Sequence, residues 1–202
     1  AWCCPMRKAV LLVASVLLLP PALTLSAHAP TSGIAPAEAS VSLLLSLDEL
    51  LTPSTFVIAG TAGDKKSRWE ELGGGRRIVT YTSIHVDTAI VGAPGASVWV
   101  RTLGGAVGDV GQAVSGEAQI AAGSKAVLFL QKAGDTLVVT GMAQGHFPLV
   151  ADEKGTSRLR SSPDAGVLLT PQGPTVSARS ALVGKALDAA VSVIRTAKKE
   201  KP

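Results

Sequence analysis

From Arg77 to Val91 the chain reads RIVTYTSIHVDTAIV, an alternation with period two that suits an extended strand. Ile78, Thr80, Thr82, Ile84, Val86, Thr88 and Ile90 fall on one face, and Val79, Tyr81, Ser83, His85 and Asp87 on the other. Successive side chains of a strand point to opposite faces, so this pattern predicts a long, half-buried β-strand. Shorter segments repeat the signal. Thr55 to Thr61 is a compact apolar strand that stops at the Gly63-Asp64 turn signal. Ser97 to Leu103 sets Val98 and Val100 against Trp99 and Arg101. Ala126 to Lys132 (AVLFLQK) is apolar on both faces at its centre, as a central strand is. Ala133-Gly134-Asp135 turns it into Thr136 to Gly141, a hairpin signal, and His146 to Val150 reads as the last short strand.

Helical signals lie at the two ends of this region. Ser46-Leu47-Asp48-Glu49 fits a capping box and predicts a short helix over Leu47 to Leu51, ended by Pro53. Leu182, Ala186, Ala189, Val193 and Ala197 recur at three or four residues, so Ser177 to Lys199 reads as one amphipathic helix. Lys65 to Gly75 is charged and then glycine-rich, and is expected to be a loop carrying Trp69. Gly104 to Gly116 holds five glycines in thirteen residues, which fits either an irregular connection or backbone that approaches a partner closely.

The N-terminal residues carry a different message. Arg7 and Lys8 precede an apolar run from Ala9 to Leu19, Pro20-Pro21 interrupts it, and Ala27-His28-Ala29 supplies small residues two apart. That order is the pattern of an export signal, and the run is shorter than the roughly twenty residues a spanning helix needs. The expected organisation is a removable signal over 1–29, with 1–5 upstream of the true start at Met6. A linker over 30–45 follows, then a β domain over 46–150, a polar connection over 151–176, and a C-terminal helix with a basic tail over 177–202. Cys3 and Cys4 precede the apolar run, so the mature chain would hold no cysteine and would rely on its hydrophobic core. The implied location is periplasmic or extracellular, with no transmembrane segment after cleavage.

Charge bears on the partner. The formal net charge of +4 comes from the chain ends: Pro30 to Ile194 holds thirteen basic and fourteen acidic residues. A nucleic-acid module carries its positive charge on the folded face, so no nucleic-acid partner is expected. The absence of asparagine removes any N-glycosylation acceptor.

Leu47-Asp48-Glu49-Leu50, Ser67-Arg68-Trp69, Ile78-Val79-Thr80, Arg101-Thr102-Leu103-Gly104-Gly105, Gly116-Glu117-Ala118, Val127-Leu128-Phe129-Leu130 and Gly141-Met142-Ala143-Gln144-Gly145-His146-Phe147 follow one another in this order. Together they resemble an uncharacterised family of secreted bacterial proteins, over roughly Ser46 to Val150. In that family similar regions are sometimes joined to a matrixin-like metalloprotease, which implies a protease-associated role. No H-E-x-x-H is present, so the resemblance carries no protease activity. The strand order also resembles, in outline, the OB-barrel of netrin-like modules, which include inhibitors of metalloproteases. Those inhibitors use an N-terminal cysteine that the mature chain lacks. The fold class expected is therefore mainly β: a small OB-like β-barrel with a short N-terminal helix and a C-terminal amphipathic helix.

Catalytic patterns are missing. Val114-Ser115-Gly116 lacks the leading glycine of a nucleophile elbow, and Gly123-Ser124-Lys125 inverts the P-loop order. Glu70-Glu71 and Asp152-Glu153 are adjacent pairs that a strand would split across its faces. His85 and His146 lack a nearby acidic third ligand, so no metal and no cofactor is expected. The binding candidates are Trp69, Arg101, Gln144 and His146, each with a structural alternative in which Trp69 caps a barrel end and Gln144 satisfies loop carbonyls. The expected function is an exported, non-catalytic domain that binds a protein or cell-envelope component, through the glycine-rich loop and the last helix. The alternative is a secreted hydrolase with an unrecognised active site.

Overall fold

A computed structural model describes residues 41–171 and 176–200. The stretch 1–29 expected to be an export signal, and the expected linker as far as Ser40, lie outside the described residues. The protein is mainly β. In chain order the elements are β1 (Val41–Leu43), α1 (Leu47–Leu51), β2 (Phe56–Leu72), β3 (Gly75–Val91), β4 (Ser97–Leu103), β5 (Gly105–Val107) and β6 (Val110–Gln112). They continue with β7 (Lys125–Ala133), β8 (Thr136–Val139), β9 (His146–Ala151), β10 (Ser157–Leu159), β11 (Val167–Leu169), α2 (Ala178–Leu182) and α3 (Leu187–Lys199). Single 3-10 turns cover Met142–Gly145 and Pro163–Ala165. Among the described residues, no helix is long and apolar enough to cross a membrane.

One seven-stranded sheet runs β10-β9-β7-β2-β3-β4-β8, and β8 pairs with β7 as well as with β4. Within it β4 and β8 are parallel and the remaining neighbours antiparallel. β5 and β6 form a small hairpin, and β1 and β11 a parallel ribbon. Val41–Leu43 is thus a strand within the stretch assigned to the linker, and β10 and β11 occupy the stretch assigned to the polar connection.

The loop expected at Lys65 to Gly75 is instead the far half of a long hairpin. β2 and β3 stay in register from Lys65 opposite Thr82 to Leu72 opposite Gly75. Gly73 and Gly74, with φ of 61° and 78°, close it as a two-residue turn of the kind whose twist matches antiparallel strands. Charge concealed this strand. Its polar residues meet across the pair, Glu70 opposite Arg77 and Glu71 opposite Arg76, and such opposite-charge pairs stabilise a ladder.

The single face expected for Ile78 to Ile90 also breaks. The register shifts between Val57 and Ile58 and between Ala59 and Gly60, each time leaving one extra residue on β3. An inserted residue reverses the alternation beyond it, so Ile84 and Ile90 enter different cores. On one face of the sheet Ile58, Ile84, Val100, Leu128 and Leu130 pack with Ala118 and Ile120. On the other, Val57, Ala59, Val127, Phe129 and Phe147 pack with Leu50, Leu51, Leu182 and Ile194 from the helices. β7 is apolar on both faces because it lies between these cores. Phe129 and Phe147 meet edge to face, with centroids 5.9 Å apart, a geometry that adds about 1 kcal/mol to the burial itself.

α1 carries the capping box in full. Glu49 N–H donates to Ser46 Oγ at 3.2 Å, and Ser46 N–H donates to Glu49 Oε2 at 2.7 Å. The C-terminal segment is two helices rather than one, because Gly184 takes a left-handed φ of 82°. The break docks on β10: Gly184 N–H donates to Leu159 O, and Leu159 N–H donates to Lys185 O. α3 then buries Ala190 and Ile194 completely, so one face of this helix belongs to the core.

Candidate functional site

The structure divides the four candidate residues between two places. Arg101 and Trp69 lie on β4 and β2, whereas Gln144 and His146 lie in the Met142–Gly145 turn and at the start of β9. Gln144 is a staple. Its Oε1 accepts from Leu45 N–H at 2.9 Å, and its Nε2 donates to Leu43 O at 2.9 Å, which fixes the chain between β1 and α1. Trp69 is half-buried, with the Arg76 guanidinium 4.9 Å above its ring.

His146 is buried, and that burial lowers its pKa to about 4 against the opposing charge of Asp164. Its Nδ1 lies 3.3 Å from Ser162 Oγ, and Ser162 Oγ lies 3.2 Å from Asp164 Oδ2. A hydrolytic triad needs the carboxylate on the second imidazole nitrogen, so that the free nitrogen can take the serine proton. Here Ser162 Oγ–H donates to Asp164 Oδ2, so the carboxylate stands on the hydroxyl and not on the imidazole. That is not the arrangement of a triad. His85 and Asp87 pair at 3.9 Å on the surface, and no cluster of three metal-ligating groups occurs among the described residues.

Arg101 stands in a different setting. Tyr81 on β3 lies opposite Lys66 on β2 and opposite Arg101 on β4, which makes a row across three strands. Arg68 and Glu70 follow Lys66 at spacing two on β2, and Trp99 precedes Arg101 at the same spacing on β4, so all share one face. The Lys66 ammonium is 5.3 Å from the Trp99 ring centroid and the Arg68 guanidinium 4.6 Å from that of Tyr81. Trp99 remains 44% exposed. Glu70 holds the group together: its Oε1 accepts from Tyr81 OH at 2.9 Å and Arg68 Nε at 2.8 Å, and its Oε2 lies 3.5 Å from Arg101 Nη1. Burial pushes the Glu70 carboxyl up, but the hydrogen bonds from Arg68 and Tyr81 and the charges of Arg68 and Arg101 outweigh it and hold it below the usual range.

Behind Arg101 is a residue that sequence reasoning did not single out. Glu117 is buried and lines a cavity of about 150 Å³ together with Arg101, Leu103 and Val138. Burial raises its pKa to about 7, while a backbone hydrogen bond at Leu103 and the Arg101 charge act in the opposite direction. A lone glutamate after a glycine-rich stretch gives no pattern; its environment comes from the chain folding over β4.

The arrangement offers an exposed aromatic surface flanked by Lys66, Arg68 and Arg101 against the single carboxylate of Glu70. It can stack on planar or apolar groups and attract acidic ones. The chain matches no family model, no curated protein and no solved structure.

Proposed function

We propose that the protein is an exported, non-catalytic binding domain that holds a protein or cell-envelope partner on the β2–β3–β4 face. The observation that carries this reading is the exposed Trp99 ring, set beside Tyr81 among Lys66, Arg68 and Arg101. Aromatic and arginine side chains in such clusters supply most of the binding energy of protein surfaces. Three cations to one carboxylate favour an acidic partner. Export rests on the Arg7-Lys8, Ala9–Leu19 and Ala27-His28-Ala29 pattern.

We further read the ring β7–β2–β3–β4–β8 as a closed, OB-like barrel. The additional β7–β8 pairing and the parallel β4–β8 pairing support this, since together they return the sheet to its first member. OB barrels bind ligands on the face of their second and third strands, a position that β3 and β4 hold in this ring. A protease-associated partner, implied by the resemblance to secreted bacterial proteins, is one form of the same reading.

The test is co-sedimentation with envelopes isolated from the producing cell. The protein should pellet at low salt and be released as salt rises, because exposed charges are screened. A Lys66→Glu, Trp99→Ala variant should stay in the supernatant with an unchanged melting temperature. Equal pelleting of both proteins would count against the face.

A further inference from the structure

We infer that the cavity walled by the β1–β11 ribbon, the Met142–Gly145 turn and α2 is a binding site for a small monocarboxylate with an apolar body. Its volume is about 330 Å³, within the roughly 300–1,000 Å³ of small-molecule pockets. The lining is part apolar and part polar, and Leu44 and Leu45 after β1, Phe147 in β9 and Leu168 in β11 supply the apolar part. That apolar part favours a hydrocarbon body, linear or aromatic.

The polar groups on the lining fall into two sets. Gln144 and Ser162 already have partners, in the chain around Leu45 and in His146 and Asp164. Among the described residues, Ser161 and Arg179 do not. The Ser161 hydroxyl is hidden from solvent with no hydrogen-bond partner, an exception that native structures rarely tolerate without a role. The oxygen does not face the cavity as it stands, so the inference requires it to turn towards an occupant by rotation among its three staggered positions. Arg179 on α2 also lines the cavity and is exposed, and no carboxylate pairs with it among the described residues. A guanidinium takes a carboxylate through two parallel hydrogen bonds, which sets the charge and shape of the head group. An apolar part of the lining, one hydroxyl without a partner and one unpaired guanidinium together describe a carboxylate with a hydrophobic tail.

This site is separate from the β2–β3–β4 face, and its test can fail independently. Calorimetric titration of the purified protein with octanoate and with 3-phenylpropionate distinguishes a linear from an aromatic body, with octanol as the uncharged control. Saturable 1:1 binding of at least one acid is expected, at least tenfold tighter than octanol. Arg179→Gln should weaken that binding at least tenfold without moving the melting temperature. Ser161→Ala should weaken it several-fold while leaving the ligand-free melting temperature the same or higher, because it removes an unpaired hydroxyl. The Lys66→Glu, Trp99→Ala variant should bind the acid as the parent does. Three results would overturn the inference: no saturable binding of either acid, binding indifferent to Arg179→Gln, or a ligand-free Ser161→Ala protein that melts several degrees lower.

Discussion

Glu117 and His146 are both driven towards neutrality by burial, and their effects on stability oppose each other. Glu117 is raised from 4.5 to about 7, so it favours the fold fully below pH 4.5 and loses that contribution as the pH rises through 7. His146 is lowered from 6.5 to about 4, so its contribution is present above pH 6.5 and is lost as the pH falls through 4. Each shift corresponds to roughly 3 kcal/mol. Between about pH 4.5 and 6.5 the two slopes cancel, and the parent's stability should be nearly flat there. Chemical denaturation across pH checks this. Glu117→Gln should become more stable with rising pH over that window and exceed the parent by a few kcal/mol at pH 8, whereas His146→Gln should lose stability as pH rises. Matching profiles for parent and variants would refute it. Neither environment was legible in the sequence. Both shifts come first from burial by distant parts of the chain, which the charges of Arg101 beside Glu117 and Asp164 beside His146 only partly offset.

The elements were legible where local chemistry decides them. Ser46 and Glu49 specify their own cap, and the apolar run of β7 specifies a strand with a core on each side. The far half of β2 was not, because Lys65 to Glu71 shows the polarity of a loop and only its ladder with β3 makes it a strand. The glycine-rich stretch is a third case. Gly105 sits at φ 126°, and a Cβ there would meet the hydroxyls of Thr80 and Ser67, so glycine lets the hairpin lie against β2 and β3. The base is pinned where Gln112 Oε1 accepts from Ile78 N–H at 2.7 Å, while Val110 at the tip is 51% exposed. Thermal melts should therefore separate base from tip. A Val107→Ser, Val110→Ser protein should stay within about 0.5 kcal/mol of the parent, as surface changes do. Gln112→Ala should lose about 1–3 kcal/mol by leaving the Ile78 N–H without its partner. The reverse order would show the tip to be core.

At the scale of the molecule, the described residues form a sheet with a core on each face, and the C-terminal helices complete one of them. Ile194→Ala should cost about 2–5 kcal/mol as a large-to-small core change. Deleting 177–202 removes the wholly buried Leu182, Ala190 and Ile194, so cooperative unfolding should be lost. A sharp melt retained by the truncated protein would make the helices an appendage. Period and capping were enough to predict a β protein with helices near its ends. They could not bring Lys66, Tyr81, Trp99 and Arg101 together, because register between strands is a tertiary property. The most direct test of the binding face is photo-crosslinking in the producing cell, with p-benzoylphenylalanine in place of Trp99 and, as a control, in place of the exposed Ser192 on α3. A discrete adduct from position 99, absent from position 192 and lost when Lys66 and Arg68 are changed to Glu, is the predicted result. No adduct at 99, or the same adduct from both positions, would contradict the account.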